Sequence, residues 1–447
     1  MQFKGESIID EWILKPETVA KSKKYYAHFD CRTDIRKAEK NVTDPSWVAH
    51  HGFYPFIHYE KDCSKYTSKG KKDKKRDICY AAHIDRCILQ FYCHRMNEVY
   101  NQRIREYHIE DVPVAYRSDL GLNNIHLAKQ AIDFIKANPK AYVLIGDFTG
   151  FFDNLDHAYL KEQWCKLLGV DRLPSDHYTI FKNITRYSVW ELDDLLEIND
   201  LPKTSSGRKK LNAMRSVLTT DQFKKYRPHI HKNPNSYGIP QGSPISALLA
   251  NVYMMEVDQK IKAIVAQHNG KYMRYSDDFI IVLPVEESVA NDAIKSVNQI
   301  IHDTPGLELE PKKTQIFRTN LPEIINVGDS FLEHADKSKN VINFLGFTFD
   351  GKKTTLRPKT ISKYYYRMYR KAHVIAENPG QKGKDHLYER YSERGARSGE
   401  GKKGNFFTYV QRAEKIFGDA EEIRRPVKNH MAKIRKALKE GKHKSRA

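Results

Sequence analysis

Two adjacent carboxylates, Asp277 and Asp278, stand between two runs of strand-forming residues in residues 271–283, KYMRYSDDFIIVL. Tyr272 to Tyr275 form one arm and Phe279 to Leu283 the other, with the polar step Ser276-Asp277-Asp278 at the bend, a pattern that predicts a β-hairpin. Neighbouring aspartates repel each other, so the pair is favourable only beside a cation, and hard oxygen donors suit a divalent ion such as Mg2+. Taken alone, such a pair at a turn is most often a solvated bend. The rest of the chain has to supply the reason for it.

That reason starts with residues 142–156, YVLIGDFTGFFDNLD, an apolar strand that ends on Asp147. If the strand pairs beside the hairpin, Asp147 and Asp277 would bridge two metal ions about 4 Å apart, the arrangement used for in-line nucleotidyl transfer. A third stretch, residues 237–253, YGIPQGSPISALLANVY, combines Gly and Pro into a sharp turn. Ser243 is expected to cap a helix there, with Pro244 in its first position.

In this order the strings DFTGFFD, GIPQGSP and YSDD resemble the A, B and C motifs of reverse transcriptases. The resemblance assigns Asp147, Asp277 and Asp278 as catalytic carboxylates that hold two Mg2+ ions, or Mn2+ in their place, with the Phe148 carbonyl as a further ligand. Phe152 falls where the family keeps an aromatic gate against the ribose 2′-hydroxyl, which implies deoxynucleotide incorporation. Gln241 and Gly242 match the turn that packs against the incoming nucleotide and template. The implied fold is α+β, a right-hand polymerase with fingers, a β-α-β-β-α-β palm and an α-helical thumb.

With 447 residues, 40% of them hydrophobic, the chain can bury a substantial core and divide into several lobes. Its 76 Lys and Arg against 56 Asp and Glu leave a net charge of +20, which suits a polyanionic partner. The excess is concentrated: residues 355–447 hold 25 basic and 10 acidic side chains. There Lys363, Arg367, Arg370 and Lys371 interleave with Tyr364, Tyr365, Tyr366 and Tyr369 on one expected helix, mixing stacking surfaces with phosphate partners. Lys363, Tyr366, Arg367, Arg370 and Lys371 are the nucleic-acid contacts expected of this thumb. Residues 378–404 are expected to be a flexible insertion and 441–447 disordered. Six cysteines without C-x-x-C spacing read as reduced thiols. No apolar run approaches membrane-spanning length and no signal sequence opens the chain, so the expectation is a soluble, cytoplasmic protein without a membrane partner.

The expected organisation is an N-terminal accessory region over 1–60, fingers over 61–135, a palm over 136–350 with a helical insertion at about 157–236, and a thumb over 355–447. Residues 61–76 hold eight basic side chains and two acidic ones and read as a mobile basic loop. A long helix is expected over 77–107, then a short strand, a turn and a helix through Lys136. Within the insertion one helix is expected over 178–196 and a basic loop over 203–212. A helix over 286–303 and a returning strand over 307–317 complete the palm.

Further residues enter by resemblance. The string AYR at 115–117 with NNI at 123–125 is similar to the fingers of bacterial reverse transcriptases of the unknown groups, relatives of abortive-infection and defence-associated enzymes. It implies that Arg117 reaches the triphosphate or template, with Arg76 a second candidate for that surface; the plain alternative is that Arg117 pairs with Asp119. Lys313, or its neighbour Lys312, would act on the pyrophosphate leaving group. Residues 341–349, VINFLGFTF, resemble the primer-grip hairpin, with Phe344, Leu345, Gly346 and Phe347 in the matched positions. A group II intron enzyme would carry more chain beyond the thumb, and retron enzymes carry a V-T-G string and an Ala where this chain has Ser276. The resemblance therefore implies the defence-associated branch, with dNTPs as substrates, a structured non-coding RNA as template and a DNA product. Template-independent or protein-primed synthesis and an RNA-binding scaffold are the alternatives. Oligomeric state is not legible.

Overall fold

The computed structural model describes residues 11–63, 65–67, 70–73, 75–333, 339–377, 384–396, 404–418 and 420–444. Its strands, in chain order, are β1 Phe56–Asp62, β2 Lys65–Thr67, β3 Gly70–Lys72, β4 Lys75–Tyr80, β5 Lys140–Asp147, β6 Ser188–Glu191, β7 His231–Lys232, β8 Lys271–Tyr275, β9 Asp278–Leu283, β10 Gln315–Asn320, β11 Glu323–Asn326, β12 Ile342–Phe344, β13 Phe347–Phe349 and β14 Thr354–Leu356. The helices that matter below are α1 His83–Glu106, α2 Asn124–Ala137, α3 His157–Leu168, α4 Ser205–Ala213, α5 Ser246–Tyr253, α6 Pro358–Glu377, α7 Lys384–Tyr391 and α8 Phe406–Ile416. No described helix is long and apolar enough to cross a membrane.

The chain forms two compact units, each discontinuous in sequence: Met1–Tyr116, Phe148–Ile261 and Asn298–Leu309 make one, and Arg117–Asp147, Lys262–Val297 and Glu310–Ala447 the other. The second holds a five-stranded sheet in the order β11-β10-β5-β9-β8, antiparallel throughout. β5 is buried from Ala141 to Gly146, as befits a central strand covered on both faces. Helices Met255–Gln267 and Glu287–His302 precede β8 and follow β9. The sequence order β5, helix, β8, β9, helix, β10 is the β-α-β-β-α-β palm expected.

The first unit is built round the sheet β4-β1-β6-β7. β1 and β4 pair from Ile57↔Tyr80 to Asp62↔Lys75, and β6 joins β1 in parallel. The expected basic loop at 61–76 is therefore largely strand: the β1–β4 ladder runs into it and β2 pairs with β3 beyond. Backbone hydrogen bonds form the ladder whatever charge the side chains carry. Residues 64, 68, 69 and 74 lie outside the described residues.

Other expectations needed correction. The helix expected over 178–196 is broken, into Ser175–Thr185, β6 and Leu192–Ile198, because Val189 and Trp190 pair with β1 and Trp190 is buried in an apolar cluster with Ile57 and Leu195. Residues 205–212 of the expected loop belong to α4, capped by Thr204 Oγ1 on the Gly207 amide and anchored by Leu211 in the same cluster. The long helix begins at His83 rather than 77, since 75–80 is strand. Residues 112–115 are buried but form no strand, and the helix that follows starts at Asn124, with Asn123 capping it. Part of the expected insertion at 378–404 is ordered as α7, and the last helix runs from His430 to Lys444, into the 441–447 stretch expected to be disordered. Residues 378–383, 397–403 and 445–447 lie outside the described residues.

Candidate active site

The bend between β8 and β9 is a two-residue turn, closed by the pair Tyr275↔Asp278. Ser276 adopts a left-handed φ of +63°, an uncommon conformation for a side-chain-bearing residue. Arg274, wholly buried in β8, donates from Nη1 to the Ser276 carbonyl at 3.1 Å. A buried guanidinium is tolerable only where its donors are used, so this contact ties a fixed charge to the carbonyl of the turn.

β5 delivers the third carboxylate. In the β5–β9 register Gly146 lies opposite Phe279 and Asp147 opposite Asp278. A Cβ at Gly146 would stand 2.2 Å from the Phe279 ring, so only glycine lets the ring lie across the strand. The Asp147 carbonyl accepts the Glu310 amide at 2.8 Å, which fixes the end of β5. Lys313, in the short turn Pro311–Lys313, donates its ammonium to the Asp147 carboxylate.

The electrostatics follow from this crowding. Asp278 has its carboxyl pushed up from 3.8 to about 7 by loss of hydration, then by the charges of Asp277 and Asp147; Lys313 opposes the shift. Asp278 keeps an exposed edge, so the repulsion between like charges, which needs no full burial, is the cause that secures the direction. Three carboxylates sharing one ammonium hold the Asp278 carboxyl well above the usual carboxylate range.

A hard divalent cation suits such an oxygen donor set. Asp147 and Asp278 face each other across the strands, while Asp277 stands on the turn. Among the described residues no three His, Cys, Asp or Glu side chains form a ready-made metal cluster. The fit is that of a charge-deficient carboxylate pair with a third acid beside it.

In the other unit, two predicted segments are stitched together. The Phe152 carbonyl accepts the Ile239 amide at 2.9 Å, and Gln241 donates from Nε2 to Asp153 at 3.0 Å. The Gln241 carbonyl accepts the Cys79 amide at 2.8 Å. Gly242 has φ +111°, and a Cβ there would meet the Cys79 carbonyl at 2.5 Å. Phe152 is half-buried, edge-on to Phe151 at 5.6 Å; Phe148, also in this unit, stacks on Phe151 at 5.4 Å. Ser243 does not cap the helix: α5 begins at Ser246, whose hydroxyl donates to the Pro240 carbonyl, and the Ser243 hydroxyl is buried without a partner.

Residues 195–349 match the reverse transcriptase (RNA-dependent DNA polymerase) family. The matched reverse transcriptase stretch is a nucleotidyltransferase domain and contains Gln241, Gly242, Asp277, Asp278, Lys313 and residues 341–349. Asp147 precedes it, and the β5–β9 pairing connects that residue to Asp278. The fold class is α+β, that of right-hand polymerases. No curated protein matches the chain. Similar solved structures include apo telomerase of Candida tropicalis truncated from its C-terminal domain, at 13% identity and TM-score 0.39, covering 72% of this chain and 60% of that one. Another is telomerase of Candida albicans with a fragment of telomeric RNA, at 14% identity and TM-score 0.40, covering 91% of this chain and 58% of that one. The chain thus spans about three fifths of those structures' length.

The other residues taken from the reverse transcriptase pattern are distributed as follows. β12 and β13 form the expected hairpin, with Phe344 opposite Phe347 and Leu345 and Gly346 both at positive φ in the turn. Phe344 and Phe347 are buried in packing, Phe347 against Phe417 at 4.9 Å. The half-buried tip is held by Asn124, which donates from Nδ2 to the Leu345 carbonyl at 3.0 Å. Arg117 is buried and forks onto Asp119, Nε at 3.1 Å and Nη2 at 2.6 Å, the plain pairing weighed above. Arg76 is exposed on β4. On α6, Lys363, Tyr366, Arg367 and Arg370 are exposed and Lys371 half-buried, but Tyr364 and Tyr365 are core residues.

Arg274 and Asp153 escaped the sequence reading. An arginine within an otherwise apolar arm was the available signal for Arg274; Asp153 closes the DFTGFFD string, but its partner Gln241 lies 88 residues away.

Proposed function

We propose that this chain is an RNA-directed DNA polymerase that extends a 3′-hydroxyl with deoxynucleotides. The observation that carries the reading is the opposition of Asp147 and Asp278 across β5 and β9, beside Asp277 and under the Lys313 ammonium. Asp147, Asp277 and Asp278 would hold two Mg2+ ions, which when bound supply charge for an attacking hydroxyl and a departing pyrophosphate. The chain's own contribution is to fix Asp147 and Asp278 on paired strands and Asp277 on the two-residue turn between β8 and β9. Lys313 holds its ammonium against the Asp147 carboxylate, in a position to exchange that partner for a phosphate oxygen. By the family pattern, Phe152 is the group that rejects a 2′-hydroxyl and Gln241 and Gly242 are the turn that packs against the nucleotide.

The family pattern also supports a finer reading: membership of the defence-associated unknown groups, with a cytoplasmic enzyme copying a structured non-coding RNA during anti-phage defence. The decisive measurement is primer extension by the purified full chain on an RNA template with dNTPs and Mg2+. Incorporation that is lost in Asp277→Ala with Asp278→Ala supports the polymerase; incorporation that persists in that variant refutes this site. DNA left covalently on the protein after nuclease treatment and denaturation would identify protein priming. Phage protection surviving the same double substitution would favour the scaffold reading over catalysis.

A further inference from the structure

A cavity of about 590 Å³ lies among α6, α7 and the start of α8. Lys363 and Arg367 stand one turn apart on α6 and leave the same face; α7 brings Arg390 to the same cavity. All three are exposed, and the described residues give none of them an ion-pair partner. The walls are aromatic. Tyr364 and Phe406 lie nearly parallel, 4.7 Å apart at 24°, and Tyr391 is tilted against Tyr364 at 6.0 Å.

These walls are held in place by hydrogen bonds from Tyr364 and Asn405. Tyr364 donates its hydroxyl to the Tyr391 carbonyl at 2.7 Å, and Asn405 donates its amide to the carbonyls of Glu389 and Ser392 at 2.8 and 2.7 Å. Glu389 also lines the cavity, with its carboxylate 3.4 Å from His386. The volume is that of a small-molecule pocket. A convex basic surface suffices to bind a duplex backbone; a cavity with flat apolar walls and a cationic rim suits a group that is planar at one end and anionic at the other.

We propose that this cavity receives one unpaired nucleotide of a bound RNA, with its phosphate against Lys363, Arg367 and Arg390 and its base against the Phe406 and Tyr391 rings. This deepens the polynucleotide reading of α6 given above, adding Arg390, Tyr391 and Phe406 and a preference for interrupted over continuous duplex. Binding at the cavity requires no nucleotide incorporation.

The test uses the full chain without dNTPs and measures fluorescence anisotropy with an RNA duplex and with the same duplex carrying one bulged nucleotide. The expected result is that the bulged RNA binds about tenfold more tightly. Arg390→Ala and Phe406→Leu should abolish that preference, and Arg390→Ala should reduce the salt slope for the bulged RNA by about one. AMP should displace the bulge preference, and a 5-iodouridine at the bulge should crosslink to the peptide that holds Tyr391 and Phe406. Equal binding of both RNAs by the unaltered chain would overturn the proposal, as would equal weakening of both by Arg390→Ala. Displacement by a phosphoserine peptide as effective as by AMP would assign the cavity to another ligand. Primer extension measured in parallel separates the two readings: bulge preference without extension sinks the polymerase alone, and extension without bulge preference sinks the cavity alone.

Discussion

Two antiparallel strand pairs in this protein carry charge at their ends and treat it in opposite ways. β8 and β9 meet in a two-residue turn where Asp277 and Asp278 crowd Asp147, with Arg274 fully buried beneath. β1 and β4 end in exposed residues, with Lys61 opposite Arg76 and Lys75 on Glu60. Water screens the second group, so opposed like charges cost little and the ion pair contributes little. The first group has lost much of that screening, and its repulsion appears as an acid that holds its proton near neutrality. Chemistry belongs where charges are forced to interact; an exposed basic arm suits broad attraction for a polyanion.

The contrast can be broken or sharpened experimentally. Its strongest test is Asp277→Ala with Asp278→Ala, for which deoxynucleotide incorporation should fall at least about a thousandfold while salt-dependent RNA binding persists. Next comes Arg274→Met, which removes the donor to the Ser276 carbonyl. We expect kcat to drop about 10- to 100-fold with a small change in the KM for dNTP, and Arg274→Lys to recover part of it. Unaltered kcat in the methionine variant would show that the turn holds its shape without this charge.

A smaller effect concerns pH. A carboxyl raised from 3.8 to about 7 in the folded chain stabilises the fold fully below pH 3.8, and that contribution is lost as pH rises through about 7. Asp278→Asn should therefore raise Tm at pH 8, by roughly 2 °C or more, and give no gain at pH 4. Millimolar Mg2+ should raise the Tm of the unaltered chain at pH 8 and do less for the variant; a Tm gain from Asp278→Asn that is equal at both pH values would remove repulsion as the cause. The smallest effect is expected at the basic arm. Lys75→Ala with Arg76→Ala should change stability by less than about 0.5 kcal/mol and weaken RNA binding a few-fold at low salt, with the difference disappearing at high salt.

The parts of the fold that were legible in advance are those where a local pattern and its tertiary use agree. The apolar run ending on Asp147 became a buried central strand, and the strand-forming arms around Asp277 became β8 and β9. The missed parts are those where distant partners override local preference. Residues 186–191 left a helical pattern because β1 offered an edge; residues 205–212 left a loop pattern because Leu211 had a cluster to enter. The tyrosines of α6 show the same division, since composition announced an aromatic basic helix and packing alone decided that Tyr364 and Tyr365 face inward while Tyr366 faces out.

The amino-acid sequence by itself determined which residues could do the chemistry: the order of the three acidic and glycine-proline strings, the turn at Ser276, and the concentration of positive charge beyond residue 355. Those are properties of spacing and composition, which survive without knowledge of contacts. Tertiary structure alone decided that Asp147 opposes Asp278, that Lys313 settles on Asp147, that Arg274 is buried beneath the turn, and that Arg117 pairs with Asp119. Each depends on strand register or on which side chains lose their water, and both are set by the packing of stretches far apart along the chain.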